Sequence, residues 1–124
     1  MEFIEAPAFT PHVSEYLSDD DCRNLQNHLA AKPDLGAVIP GTGGFRKLRW
    51  PDPNRGKGRR GGLRIIYYYF LTDQQIWLMT LYSKGEATDL SPAEKRTLRI
   101  ALETELSPRG TRFRGKQKSR RTRE

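Results

Sequence analysis

The chain lacks the residues that disulfides and membrane spans require. It has 124 residues, one cysteine (Cys22) and no continuous apolar run long enough to cross a bilayer. A single cysteine cannot form an internal disulfide, which favours a reducing compartment. Residues 1–5 show neither the basic nor the apolar segment of a secretory signal. These absences predict a cytoplasmic protein with no membrane partner.

The patterns of common cofactor and metal sites are also missing. The Gly-Lys pair at 56–57 is not followed by Ser or Thr, so it does not make a phosphate-binding loop. Cys22, His12 and His28 are the only soft metal ligands, and a helix surface explains them better than a metal site. The acidic run at 19–21 fits the first turn of a helix, where the helix dipole favours anions. We therefore predict no metal and no cofactor, and we find no Ser/His/Asp or Cys/His arrangement.

Positive charge, in contrast, is abundant and unevenly placed. Residues 1–44 hold two Lys/Arg against seven Asp/Glu, whereas residues 45–64 hold eight Lys/Arg against one Asp. Residues 109–124 hold eight Lys/Arg against one Glu, which equals the whole net charge of +7. This segregation suits a nucleic-acid backbone better than a small neutral substrate. We interpret residues 1–108 as one domain and residues 109–124 as a basic, disordered tail, which is either a solvated terminus or an arm that binds RNA.

Hydrophobic periodicity predicts a small α+β domain whose twisted antiparallel sheet packs against two N-terminal helices and one C-terminal helix. A short N-terminal strand at 3–4 precedes a helix that starts at Thr10-Pro11, with the threonine as its cap, and a helix over 18–32. A capping box of Ser18 and Asp21 begins that second helix. The later elements are a three-stranded meander at 45–50, 63–71 and 75–82, and a helix from Ser91-Pro92 that buries Leu98, Ala101, Leu102 and Leu106 and ends at Pro108.

The meander brings cations and tyrosines to one place. Because the hairpin between the last two strands is antiparallel, Arg64 at the start of one strand lies near Tyr82 and Lys84 at the end of the next. Lys47 and Arg49 approach from the strand on the other side. We expect these five residues to cluster on one open, concave face, with Arg64 as an exposed strand-end cation whose replacement by alanine leaves the fold intact.

Such a cluster is suited to cutting RNA without a metal, since it offers groups to accept and donate protons and cations to stabilise the phosphate. The other interpretation is an ordinary solvated strand edge. As candidate catalytic residues the sequence offers Arg64, Lys84, Tyr82, Lys47 and Glu86, and as candidate RNA-binding residues Arg46, Lys47, Arg49, Lys57, Arg59 and Arg60.

Five sequence elements, in order, resemble a known family. They are the GTGG turn at 41–44, the K-L-R strand at 47–49, the basic GKG loop at 56–58, the run GGLRIIYY at 61–68 and the Y-x-K-x-E pattern at 82–86. Together they closely resemble HigB-type toxins of the RelE/ParE superfamily, over about residues 18–106. Members of this superfamily are bacterial type II toxins, and its RelE-like members cleave mRNA in the ribosomal A site.

The resemblance implies a role for several residues. Lys47 and Arg49 match basic strand residues that hold mRNA, with Lys47 in proton transfer, and Arg64 matches an arginine that stabilises the transition-state phosphate. RelE carries an arginine and a tyrosine in and after the last segment, where this chain has Gly85 and Leu90-Ser91. Tyr82, Lys84 and Glu86 are the substitutes that we propose for those two residues.

The resemblance also implies partners: a HigA-like helix-turn-helix antitoxin, the ribosome with its mRNA, and operator DNA through the antitoxin alone. Two alternatives to a ribosome-dependent endoribonuclease stay open. One is a gyrase-poisoning toxin of the ParE kind on the same fold, and the other is an RNA-binding module without catalysis.

Overall fold

The computed structural model describes residues 1–51, 62–83 and 90–115, with the side chains of the last helix described as far as Leu106. These residues form five strands and three helices, which confirms the α+β class. The elements are β1 (Glu2–Glu5), α1 (Thr10–Tyr16), α2 (Asp19–Ala31), β2 (Ala37–Val38), β3 (Arg46–Trp50), β4 (Leu63–Phe70), β5 (Gln75–Ser83) and α3 (Pro92–Gly115).

The strands form one open sheet in the order β1-β5-β4-β3-β2. Strands β3, β4 and β5 are antiparallel neighbours, so the predicted meander is confirmed. Strand β1 pairs with β5 in parallel, with Glu2 beside Gln75 and Glu5 beside Leu78. The sheet is therefore mixed, and the expectation of an entirely antiparallel sheet is wrong. The two-residue strand β2, which pairs antiparallel with β3, was not predicted.

Side chains from the two faces of the sheet form separate apolar cores, as alternation along central strands requires. One core joins α1 and α2 to the first face, and the other joins α3 to the second face. The first includes Phe9, Leu17, Leu25, Leu29, Leu48, Leu63, Ile65, Tyr67, Ile76, Leu78 and Leu81, and the second includes Ile39, Phe45, Ile66, Phe70, Leu98 and Leu102. Strand β4 is covered on both sides, which explains why it is apolar at nearly every position.

The starts of the first two helices differ in how well the sequence predicted them. At α2 the Ser18 hydroxyl accepts a bond from the Asp21 N–H at 3.1 Å, and the Asp21 carboxylate accepts one from the Ser18 N–H at 3.3 Å, so the capping box is confirmed. At α1 the cap position belongs to Phe9 and makes no side-chain bond. The Thr10 hydroxyl instead donates to the Glu5 carboxylate at 2.8 Å, so the prediction of a threonine cap is wrong.

The last helix begins as predicted, with the Ser91 hydroxyl accepting from the Glu94 N–H at 3.1 Å, but it does not end at Pro108. It continues to Gly115, although a proline inside a helix removes one N–H donor and crowds the preceding turn, at a cost of roughly 3 kcal/mol. Leu106 is 43% exposed, so its expected burial is also wrong. Residues 109–115 of the predicted tail are thus helical, and residues 116–124 lie outside the described part. Within that part no helix combines the length and apolar character needed to cross a bilayer.

Candidate active site

Three predicted site residues lie side by side across the sheet. Arg49 of β3 is the direct partner of Arg64 of β4, and Arg64 is the direct partner of Tyr82 of β5. Directly opposed residues of antiparallel strands have Cα atoms about 4.5–5.5 Å apart and side chains on the same face. We call Arg49, Arg64 and Tyr82 the cross-strand row. It lies on the face that carries α3, since Ile66, two residues after Arg64, belongs to the α3-side core.

The row places two arginines opposite each other, an arrangement that ordinarily destabilises a sheet because the charges repel. Arg49 is exposed, whereas Tyr82 is half-buried against the α3-side core. Guanidinium binds phosphate with two parallel hydrogen bonds, so two arginines side by side offer several donors to one phosphate group. The geometry is therefore suited to an oxyanion.

Arg64 does not match its expected exposure. Its side chain lies in the central strand between β3 and β5, and the residue is only 4% exposed. One guanidinium nitrogen donates to the Leu63 carbonyl at 3.4 Å. The expectation of an exposed strand-end cation is wrong, because Arg64 is buried in a central strand of the sheet. Replacement by alanine would consequently disturb packing as well as charge.

Lys47 extends the row by one step along β3. It pairs with Ile66, which in turn pairs with Thr80, so Lys47 and Thr80 lie on the same face as the row and two residues away from it. Lys47 is half-buried. Four of the five residues that we expected to cluster thus share one sheet face: Lys47, Arg49, Arg64 and Tyr82. The fifth, Lys84, lies outside the described residues.

Arg46, predicted to bind RNA, occupies the opposite face and has a structural role. Its guanidinium donates to the Gly36 carbonyl at 2.8 Å and to the Asp34 carbonyl at 3.3 Å, which fixes the loop between α2 and β2. Alternation explains the difference, because adjacent residues of a strand point to opposite faces. Arg46 lies with Leu48 and Trp50 on the α2 side, and two backbone carbonyls already engage its guanidinium, so we do not retain it among the RNA-binding candidates.

A groove of about 700 Å³ adjoins the row at the edge of the sheet. On the edge of β3 away from β4, strand β2 pairs only with Arg46 and Lys47. The rest of β3 borders this groove on that edge. The wall opposite β3 comes from α2 and from residues 35–37. The groove is lined by Asp21, Asn24, His28, Leu35, Gly36, Ala37, Lys47, Leu48, Arg49, Trp50 and Pro51. Sequence reasoning missed this feature, although an aromatic residue directly after Arg49 could have indicated it.

Metal ligation and thiol chemistry receive no support from the described residues. Residues 1–51, 62–83 and 90–115 contain no group of three His, Cys, Asp or Glu side chains that could hold a metal ion. Burial raises the pKa of the Cys22 thiol, and the nearby carboxylates of Glu5, Asp19 and Asp21 raise that pKa further. The thiol is thereby kept protonated, and a protonated thiol is a poor nucleophile.

The remaining predicted site residues are outside the described ranges. They are Lys84 and Glu86 from the catalytic set, and Lys57, Arg59 and Arg60 from the RNA-binding set. No protein-family model matches the chain. The case for a function therefore depends on the cross-strand row, on Lys47 beside it and on the sequence resemblance.

Proposed function

We propose that the chain is a HigB-type toxin with a RelE-like fold that cleaves mRNA on the ribosome without a metal ion. The observation that carries this proposal is the cross-strand row, in which Arg49, Arg64 and Tyr82 are direct neighbours on one sheet face with Lys47 two residues away. Two arginines and a phenol at this spacing suit a phosphodiester that is being attacked. The five sequence elements shared with RelE/ParE toxins support the same function.

In the proposed reaction the 2′-oxygen of a nucleotide attacks the adjacent phosphorus, and the bond from phosphorus to the 5′-oxygen breaks. A base takes the 2′-hydroxyl proton and an acid gives a proton to the leaving 5′-oxygen, so the products are a 2′,3′-cyclic phosphate and a free 5′-hydroxyl. Arginine keeps its proton in proteins, so Arg64 and Arg49 stabilise charge on the phosphate instead of transferring protons. Tyr82, Lys47, Lys84 and Glu86 are the proton-transfer candidates.

Burial of Arg64 strengthens this assignment. A cation in a water-poor site interacts with a developing negative charge more strongly than an exposed one, because water screens it less. Arg49, which is exposed, would make first contact with the RNA backbone.

The test uses purified full-length protein, programmed ribosomes and a defined mRNA, with cleavage mapped by primer extension. Because Arg64 is buried, the informative variant is Arg64→Lys, which keeps the charge but loses the planar two-bond geometry. We expect a cleavage rate about 100- to 1,000-fold lower, the usual effect of removing one donor that stabilises a transition state. Arg49→Ala should weaken mRNA binding, and Arg23→Ala on the exposed surface of α2 serves as the matched control.

Each alternative function predicts its own outcome, either in this assay or in cells that express the protein. Protein that binds mRNA on the ribosome without cutting it would be an RNA-binding module. Growth arrest with intact mRNA and with DNA breaks that depend on gyrase would identify a ParE-like poison. An Arg64→Lys variant that is folded and as active as the parent would refute the proposed mechanism.

A toxin of this kind needs a neutralising partner in the same cytoplasm. We propose a HigA-like helix-turn-helix antitoxin whose acidic or polar segments bind near Arg49 and Lys47, and whose DNA-binding half gives the complex its affinity for operator DNA. The polarised charge of the chain favours an acidic ligand for this face. Co-expression of such a neighbour should relieve growth arrest and yield a complex that co-purifies, and failure of both would contradict this pairing.

A further inference from the structure

The groove beside β3 has the chemistry of a site for one unstacked base of single-stranded RNA. Its lining combines an aromatic side chain, an apolar floor and exposed polar groups on α2. Trp50 is half-buried and packs on the α1/α2-side core, and Leu48 beneath it is buried. Bases taken out of a stack are commonly bound on an aromatic face with polar groups at their edges.

Trp50 is held in place by a neighbour from α2. The His28 and Trp50 rings make a T-shaped contact, with ring centroids 5.1 Å apart and planes at 79°. His28 is itself fixed, because its Nδ1 lies 2.9 Å from the Asn24 carbonyl oxygen. A carbonyl can only accept a hydrogen bond, so Nδ1 is the donor in this contact. This preorganised wall lowers the entropy cost of stacking a base on Trp50.

Polar groups for the edge of a base come from the same helix. Asn24 is exposed and offers both a donor and an acceptor, the pair that suits the edge of a base. It lies one helical turn before His28, so both face the groove. Asp21 contributes less, since its carboxylate already accepts from the Ser18 backbone N–H and hydroxyl.

The groove is continuous with the cross-strand row, and this continuity indicates what it binds. Lys47 and Arg49 line the groove and also lie on the face of the row. A strand of RNA could therefore pass around the edge of β3 from the groove to the row. The geometry points to a nucleotide subsite in which Trp50 and Asn24 take a base while Arg49 and Lys47 hold its backbone phosphate. This inference rests on the proposed function, because the phosphate to be cleaved would belong to the same strand.

The test measures whether a base is recognised, independently of cleavage. Full-length protein is titrated with a fluorescent RNA hexamer whose 2′-O-methyl sugars prevent cutting, and with six versions that each lack one base. In the parent we expect one abasic position to weaken binding roughly 10- to 100-fold, the usual effect of losing one stacked base. In Trp50→Leu the same abasic position should change binding by less than about threefold.

Matched variants keep the test decisive if circular dichroism shows that Trp50→Leu is unfolded. Trp50→Phe should retain most of the abasic penalty, because phenylalanine still stacks. Asn24→Ala should reduce the penalty, whereas Asn27→Ala, exposed on the same helix but outside the groove, should match the parent.

An abasic penalty in Asn24→Ala and in folded Trp50→Leu that equals the penalty in the parent would overturn this subsite, as would failure of folded parent protein to bind the intact hexamer. Loss of partner-protein binding in Trp50→Leu without any abasic penalty would make the groove a protein-binding surface instead. Normal base recognition by a protein that never cleaves mRNA would leave the subsite standing and refute the proposed function alone.

Discussion

Removal of the Tyr67 hydroxyl should destabilise the domain far more than removal of a similar hydroxyl two residues away. Tyr67 is 0% exposed, and its hydroxyl donates to the Pro33 carbonyl at 2.8 Å and accepts from the Gly36 N–H at 2.8 Å. Tyr67→Phe leaves the N–H of a buried glycine without its acceptor. The expected loss is about 2–3 kcal/mol of unfolding free energy, because an unsatisfied buried donor costs more than the net value of the bond.

Tyr69→Phe is the matched control, in the same strand. The Tyr69 hydroxyl accepts a single bond from the Gln74 amide at 3.3 Å in an exposed position, so its loss should change the unfolding free energy by less than about 0.5 kcal/mol. Urea unfolding at pH 7, followed by circular dichroism, measures both values. If Tyr67→Phe also loses less than about 0.5 kcal/mol, the loop does not depend on this hydroxyl and our reasoning is wrong.

The same residue predicts how stability changes at alkaline pH. Burial raises the pKa of Tyr67, although the Gly36 bond and the Arg46 charge oppose part of that rise. An unfolded tyrosine ionises near pH 10, so the stabilisation is complete below that pH and is lost as the pH climbs through the higher pKa of the folded state. Above pH 10 the stability of the parent and of Tyr69→Phe should fall more steeply than that of Tyr67→Phe. Parallel pH curves would contradict this assignment.

Three further changes test the loop, the opposite face of β3 and the tail. Gly36→Ala places a methyl group 2.9 Å from the Lys47 carbonyl oxygen, and the urea midpoint should fall by an amount equivalent to about 1–3 kcal/mol; an unchanged midpoint would show that the loop can move away. Arg46→Ala should lower the unfolding free energy by about 1.5–3 kcal/mol, through its lost bond to the Gly36 carbonyl, and leave the RNA affinity of the folded protein unchanged. Arg49→Ala should instead weaken RNA binding and leave the unfolding free energy nearly unchanged. Deletion of residues 116–124 should flatten the salt dependence of ribosome binding by about 0.7 in log–log slope for each cation that contacts a phosphate, and an unaltered slope would show that the segment does not bind RNA.

The elements that sequence predicted well are those whose signal is local. The capping box at Ser18 depends on residues three positions apart, and the hairpin of the meander on strands joined by a short turn, and both are confirmed. Alternation and the antiparallel hairpin were also enough to bring Arg49, Arg64 and Tyr82 to one sheet face. Candidate-site predictions of this kind need only two facts: the sheet face to which each residue points, and whether the neighbouring strand is parallel or antiparallel.

The features that sequence could not give depend on contacts between distant segments. Strand β2 has only two residues and shows no alternation. Its pairing with β3 is supported by the hydrogen bonds that Tyr67 and Arg46, both distant in the chain, make to Gly36 just before it. Burial of Arg64 could not be foreseen from its place at the start of β4, and the groove is formed between α2 and the end of β3, which are distant in the chain.

The pairing of β1 with β5 orders the events of folding. The β4–β5 hairpin is closed by residues 71–74 and can form early, because its loop is short. Joining Glu2 to Gln75 encloses more than seventy residues, which costs about 4 kcal/mol of chain entropy if nothing between them is yet ordered. We therefore expect β1 to join the sheet after the β4–β5 hairpin has formed. Strand β5, which carries Tyr82 of the cross-strand row, lacks its outer neighbour until that late step.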